Sequence, residues 1–219
     1  MQFIDIPTEQ TTAITDVLLS IFSLYVINSI YQTGKKVDFA KTKIWTGAFA
    51  LLFVAAFLGS IAHGIQMSPF VNYLIWQPLN LSLGLAIALF AAGVIYDWNH
   101  FNLPKKLFIL LMVTGIVFYT ITLIFPDSFF VFILYEAVAM LFSLVLYILL
   151  WRRKKFPGSQ FMTLGILVTI IAAIVQAIDS LSLTIIWKFD HNGLFHLIQI
   201  AGLLFLQKGL NIEFKSRLV

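Results

Sequence analysis

The chain contains four histidines, ten Asp and Glu residues and no cysteine. Thiolate nucleophiles, thiolate metal sites and disulfides are therefore excluded. His63, His196, Glu136 and Asp179 stand inside long apolar runs, where an ionisable group costs about 2.5–3.5 kcal/mol on insertion scales. Groups kept at that cost face an interior cavity and act there. Asn192, His196 and Gln199 recur at i, i+4 and i+7, so one helical stripe carries all three. Gln77 and Asn80 flank Pro78, which loosens its helix and frees a carbonyl. Gln176, Asp179 and Ser180 share a face if their run is helical. The apolar runs show no lysine or arginine to pair with the acids, which are expected to face a proton, a metal or a histidine. His63 and His196 with Asp179 or Glu136 would give three ligands for a catalytic zinc, leaving a fourth position for water. The second carboxylate would serve as general base for attack on a lipid carbonyl. Gln77, Asn80, Gln176, Asn192 and Gln199 are candidates to orient ligands or polarise that carbonyl. His191, beside Asp190 at the start of the last run, reads mainly as a solvated helix cap, with a place beside the substrate or the ligands as its second reading.

These residues need elements to position them, and the composition says which. The sequence is 60% hydrophobic and 11% charged, with a mean hydropathy of +0.95; a soluble domain is typically about half apolar and a quarter charged. Apolar runs fall near 12–32, 44–66, 71–95, 105–125, 129–150, 161–187 and 191–207, each long enough to cross a hydrocarbon core of about 30 Å. Open sheet edges have no partners in lipid, so all seven read as helices. The fold class is all-α, a single seven-helix transmembrane domain over 1–219. Pro104 and the Pro126-Asp127 and Pro157-Gly158 pairs mark breaks between runs. The basic residues fall at Lys35, Lys36, Lys41 and Lys43, at Lys105 and Lys106, at Arg152 to Lys155, and at Lys208, Lys215 and Arg217; Lys188 alone is elsewhere. That alternation places the N-terminus outside and the C-terminus in the cytoplasm. It also explains the net charge of +4 without nucleic acid, and no soluble protein partner is inferable. No basic residue precedes the first run, which is therefore a retained span and not a signal peptide. The Ile, Phe and Lys richness suggests a bacterial inner membrane.

With this orientation, His63, Gln77, Asn80, Glu136, Gln176, Asp179, Asn192, His196 and Gln199 all fall in the outer half of the bilayer, with Asp16 at the start of the first span. The inner half holds little of this kind. Asp97 and His100 belong to the segment YDWNHFNLPKK and read as solvated.

Gly59-Ser60-Ile61-Ala62-His63 and Asp190-His191-Asn192-Gly193-Leu194-Phe195-His196 together resemble motifs of the seven-transmembrane CREST hydrolase superfamily, which includes alkaline ceramidases and adiponectin-type receptors. The resemblance implies zinc held by histidines near one membrane face, Ser60 and His63 acting from the second span, and hydrolysis of a lipid amide such as ceramide. The spacing differs in places. Ser60 precedes His63 by three residues, with Gly59 at the fourth; Asn192 stands four before His196, with His191 displaced by one. At i and i+5, His191 and His196 point about 140° apart on a helix, so the resemblance carries over to His63 and His196 but not to a three-histidine site.

Two readings follow. One is a metal-dependent intramembrane hydrolase of a lipid amide or ester. The other is a non-catalytic receptor, sensor or carrier that binds a lipid or small ligand in the same cavity. A haem protein would use His63 and His196 as axial ligands but lacks a second histidine pair. A transporter would need a polar relay across the whole membrane.

Overall fold

The computed structural model describes residues 2–125, 129–184 and 186–218. Among the described residues the fold is all-helical but for one short hairpin (81% helix), with seven helices long and apolar enough to span a membrane. They are α1 (Pro7–Gly34), α2 (Phe39–Gly64), α3 (Pro69–Trp98), α4 (Lys105–Ile124), α5 (Phe129–Arg152), α6 (Ser159–Gln176) and α7 (His191–Ser216). The Pro126-Asp127 break expected between α4 and α5 lies outside the described residues. Local chemistry sets the ends. Pro7 and Pro69 occupy first-turn positions, where a missing N–H costs nothing. Asp38 and Asp190 cap α2 and α7 by accepting from the N–H groups of Lys41 and Gly193. Pro78 lies inside α3, which continues past it.

The sixth span departs from its apolar run. α6 ends at Gln176, and a hairpin follows in which β1 (Ser182–Thr184) pairs antiparallel with β2 (Lys188–Asp190), Leu183 opposite Phe189. Asp179 and Ser180 compete for backbone hydrogen bonds and disfavour helix, while the alternating Ser-Leu-Thr suits a strand. The first turns of α1 hold the hairpin: the Thr11 hydroxyl donates to the Lys188 carbonyl and the Thr12 hydroxyl to Asp190 Oδ1, both at 2.8 Å.

Helices α1, α2, α3, α5, α6 and α7 close a ring, and α4 leans on α3 and α5 from outside. Small residues permit the closest approaches. A Cβ on Gly84 would stand 2.6 Å from the Gly115 carbonyl oxygen, fixing α3 against α4. Gly158, where α6 begins, meets the backbone of Gly209 on α7 so closely that no side chain fits. The large apolar residues of the outer faces, such as Ile21, Leu110, Leu141 and Ile171, are exposed. That surface is compatible with an integral membrane protein, whose solvent is hydrocarbon.

The end of the ring bearing the C-terminus of α7 is tied by a buried ionic knot, contrary to the expectation of little polar chemistry there. Lys41 is 0% exposed. Its ammonium lies 2.7 Å from Asp97 Oδ1 and 2.6 Å from Glu213 Oε2. The rings of Phe156, Phe214 and Phe101 surround it at 4.4, 5.1 and 5.3 Å. Tyr147 donates to Asp97 Oδ2 at 2.7 Å; Arg217 reaches Asp38 and Glu213 at 3.1 and 3.3 Å. Asp97 is therefore buried and paired, not solvated, because α3 runs on to Trp98 and turns it inward. His100 is exposed, as its loop position suggests. His100 and Phe101 adopt left-handed backbone (φ 54 and 66). The Phe101 N–H bonds back to the Tyr96 carbonyl, a helix stop of the Schellman kind that folds Phe101 over the lysine.

Removing one member of such a group leaves a buried charge unpaired, at about 3–5 kcal/mol. Lys41→Met is expected to lose about that much stability, measured by denaturation in detergent. Adding Asp97→Asn and Glu213→Gln should return much of it. A Lys41→Met protein as stable as the parent would show that the knot holds nothing.

Candidate functional site

The opposite end of the ring, where α1 and α3 begin and α2 ends, is built around two acid–histidine pairs. His63 lies in the last turn of α2, and its Nδ1 meets Glu9 Oε2 of α1 at 2.7 Å. Trp76 of α3 stands edge-on to the imidazole at 5.6 Å. The N-terminal segment fixes these neighbours: the Ile4 N–H donates to the Gly64 carbonyl and the Gln66 N–H to the Gln2 carbonyl. With Nδ1–H given to a carboxylate, Nε2 has no hydrogen-bond partner among the described residues, on a ring that lines the interior.

His196 of α7 is held differently. Its Nδ1 lies 3.1 Å from Thr15 Oγ1, and its Nε2 lies 3.2 Å from Asp16 Oδ1. The Thr15 hydroxyl donates to the Thr12 carbonyl, so its oxygen accepts from Nδ1–H. Nε2 and Asp16 then share one proton, carried by the imidazolium or by the carboxylic acid. Asp16 is pressed against α2, where a Cβ on Gly59 would stand 2.7 Å from Asp16 Oδ2. Glycine one turn before His63 thus makes room for the carboxylate.

Both histidines open onto one cavity of about 700 Å³ inside the ring, within the range of small-molecule sites. Most of its wall is apolar, including Leu19, Phe49, Leu83, Phe90, Met140 and Leu203. The polar wall comprises Asp16, His63, Glu136, Thr169, Gln176, Asp179, His191, Asn192, His196 and Gln199. Asn192, His196 and Gln199 all face it, as their helical spacing has it. Gln176 donates to Asn192 Oδ1 at 3.3 Å, joining α6 to α7. Glu136 is buried on α5, and its Oε2 has no hydrogen-bond partner among the described residues.

Several expected site residues sit elsewhere. Asp179 lies beyond the end of α6, is exposed, and approaches His191 at 3.9 Å, so it cannot join Gln176 on a helical face as expected. His191 is half-buried there, at the mouth beside the hairpin. The Ser60 hydroxyl donates to the Phe57 carbonyl of its own helix and does not line the cavity. Gln77 bonds the Tyr73 carbonyl and accepts from Tyr119 of α4, and half-buried Asn80 is likewise outside the wall.

This arrangement bears on zinc. Among the described residues no three His, Asp or Glu side chains gather as a ligand set. His196 commits both ring nitrogens to Thr15 and Asp16, and Asp179 is at the mouth. Only His63, its Nδ1 on a carboxylate, has the posture of a metal ligand. The expected set of His63, His196 and one carboxylate from α5 or α6 does not fit as these side chains stand. Two residues of the site escaped the sequence reading of its chemistry. Asp16 was placed at the correct end, but its partner is 180 positions away in the chain, and Glu9 precedes the first apolar run.

A family model described as "Family of unknown function (DUF6962)" matches residues 11–213. The chain belongs to that family. No curated protein and no solved structure matches it. The DUF6962 match takes in Asp16, His63, Glu136 and His196, together with Lys41, Asp97 and Glu213 of the knot; Glu9 and Arg217 lie outside it.

The two pairs should differ energetically. Asp16 and His196 are nearly dry, whereas Glu9 and His63 are partly solvated. A double-mutant cycle on stability with Asp16→Asn and His196→Gln is expected to give a coupling of about 1–3 kcal/mol. The corresponding cycle with Glu9→Gln and His63→Gln is expected to give about 1 kcal/mol or less. Equal couplings would refute the distinction.

Proposed function

We propose that the chain is an integral membrane protein that binds an amphipathic ligand, a lipid or lipid-like small molecule, inside its helix ring. One observation carries this reading: a single cavity joins a long apolar wall to a cluster of buried polar groups at one end. The apolar part matches a hydrocarbon chain and the polar cluster a head group. The distribution of Lys and Arg supports an orientation with the polar end of the cavity near the outer face and the ionic knot near the cytoplasm. A receptor, sensor or carrier would use such a site without chemistry. The composition is consistent with a bacterial inner membrane.

Hydrolysis of a lipid amide or ester is the second reading, favoured by the Glu9–His63 pair. Glu9 holds the imidazole with Nδ1–H outward, which leaves Nε2 as a base for water beside the cavity. The same carboxylate–imidazole relation orients the base of many hydrolases. Glu136 and Gln199 are placed on the same wall to meet the substrate's polar atoms.

Native mass spectrometry of protein purified in mild detergent is expected to find about one amphiphile per chain. Ala86→Trp, which narrows the cavity wall, should reduce that occupancy severalfold; an empty parent protein would remove the binding reading.

The hydrolytic reading predicts release of fatty acid from a fluorogenic lipid amide, with His63→Ala slowing it by about 10²-fold or more, the usual scale for a general base. Elemental analysis of the same sample decides whether zinc takes part. Protein without activity on amide and ester probes leaves the binding reading alone.

A further inference from the structure

The hydrogen bonding beside the cavity is uneven. Asp16 Oδ2, Glu136 Oε2, Gln176 Oε1, Gln199 Oε1 and Thr169 Oγ1 have no hydrogen-bond partner among the described residues. All five residues line the cavity and are more than nine-tenths buried. Four of the five atoms are carboxylate or side-chain amide oxygens. Such oxygens accept; a buried acceptor without a donor costs about 1–3 kcal/mol, and more when charged. These oxygens lie just behind the cavity surface, and the amides of Asn192 and Gln199 bring N–H donors of their own to the same wall, so charge decides which head group fits.

The charge of the wall is one-sided. No Lys or Arg lines the cavity. The histidines facing it are each beside an acid: His63 beside Glu9, His196 beside Asp16 and, more loosely, His191 beside Asp179. Even with all three imidazoles charged, Glu136 would have no basic partner. A carboxylate head group would meet Asp16 and Glu136 without a lysine or arginine to hold it, at a cost that grows in a low dielectric. A hydroxyl head could satisfy one acceptor. An ammonium brings three N–H donors and the missing positive charge together. The aromatic rings on the wall, Trp76, Phe49, Phe90 and Phe195 among them, can also receive a cation on their faces.

We infer that the ligand of this cavity is a cationic amphiphile, a primary amine on a long apolar chain, whose ammonium sits among Glu136, Asp16, Gln176 and Gln199. This rests on the amphiphile-binding reading and names its ligand class. The apolar chain lies along Leu83, Met140 and Leu203, and the head supplies the donors that these oxygens lack.

The test compares three probes of one chain length, hexadecylamine, hexadecan-1-ol and palmitate, by concentration-dependent thermal stabilisation of the purified protein in detergent. The amine is expected to bind at least about tenfold more tightly than the alcohol, a difference of 1.4 kcal/mol, and palmitate more weakly than either. Glu136→Gln should bring the amine to within about threefold of the alcohol. An alcohol or palmitate affinity equal to the amine's overturns the inference while leaving the amphiphile reading intact. So does an amine preference that survives both Glu136→Gln and Asp16→Asn. Failure of all three probes to bind removes the amphiphile reading itself. The comparison in the parent protein stands even if a variant does not fold.

Discussion

A lysine ammonium taken wholly out of water must be surrounded by opposite charge and donors' partners, or the fold around it fails. Lys41 meets that requirement with groups from widely separated parts of the chain: Asp97 on α3, Glu213 on α7, and rings from α7 and from the α3–α4 and α5–α6 connections. Tyr147 adds α5 through Asp97, and Arg217 draws in the α2 cap through Asp38. Lipid offers no hydrophobic drive to bring apolar helices together, so specific polar contacts and close backbone approaches must choose the neighbours. The knot and the glycine contacts of Gly84 with Gly115 and Gly158 with Gly209 do so at different places. Because one end of the ring is fixed this way, the other can remain hollow.

That hollow end has the opposite energetic character. The knot matches nearly every charge it buries, whereas beside the cavity single oxygens of Glu136, Asp16, Gln176 and Gln199 find no partner among the described residues. Unmatched groups lower stability unless something outside the chain completes them. The two ends thus divide the work: the Lys41 end supplies fixed geometry, and the His63 end carries unsatisfied chemistry. The α1 helix joins them, since its first turns hold Glu9, Thr15 and Asp16 against the histidines while Gly34, at its far end, packs against Thr42 and Phe214 beside the knot.

The span count and most helices were legible because apolar length and charge alternation are direct consequences of a lipid solvent. His63, His196 and Glu136 were legible for the same reason, since each is costly where it stands. Three features were not. Lys41 read as one of four loop lysines, and only α2's early start at Phe39, with Glu213 172 positions away, makes it an interior residue. Asp97 sits in a polar segment that resembles a loop until α3 continues through it. Asp179 lies in an apolar stretch longer than one span needs, and periodicity alone could not say that the excess becomes a hairpin. In each case a residue's environment was set by where an element ends, which is the weakest signal in a sequence.

The resemblance to zinc hydrolases and the observed pairing of acids with histidines place different demands on the same imidazoles. A ligand histidine offers one nitrogen to the metal and gives the other to an outer partner. His63 meets that description, with Glu9 as the outer partner. His196 does not, because Thr15 and Asp16 take both of its nitrogens. The displaced spacing around His191 and the position of Asp179 remove the remaining candidates from its side. What stays common to both arrangements is the placement of two histidine-bearing helices around one interior space. Asp16 beside His196, and Glu136 on α5 with an oxygen that has no hydrogen-bond partner among the described residues, set the acidic character of that space. The ligand proposed for the pocket answers that character with a donor and a positive charge.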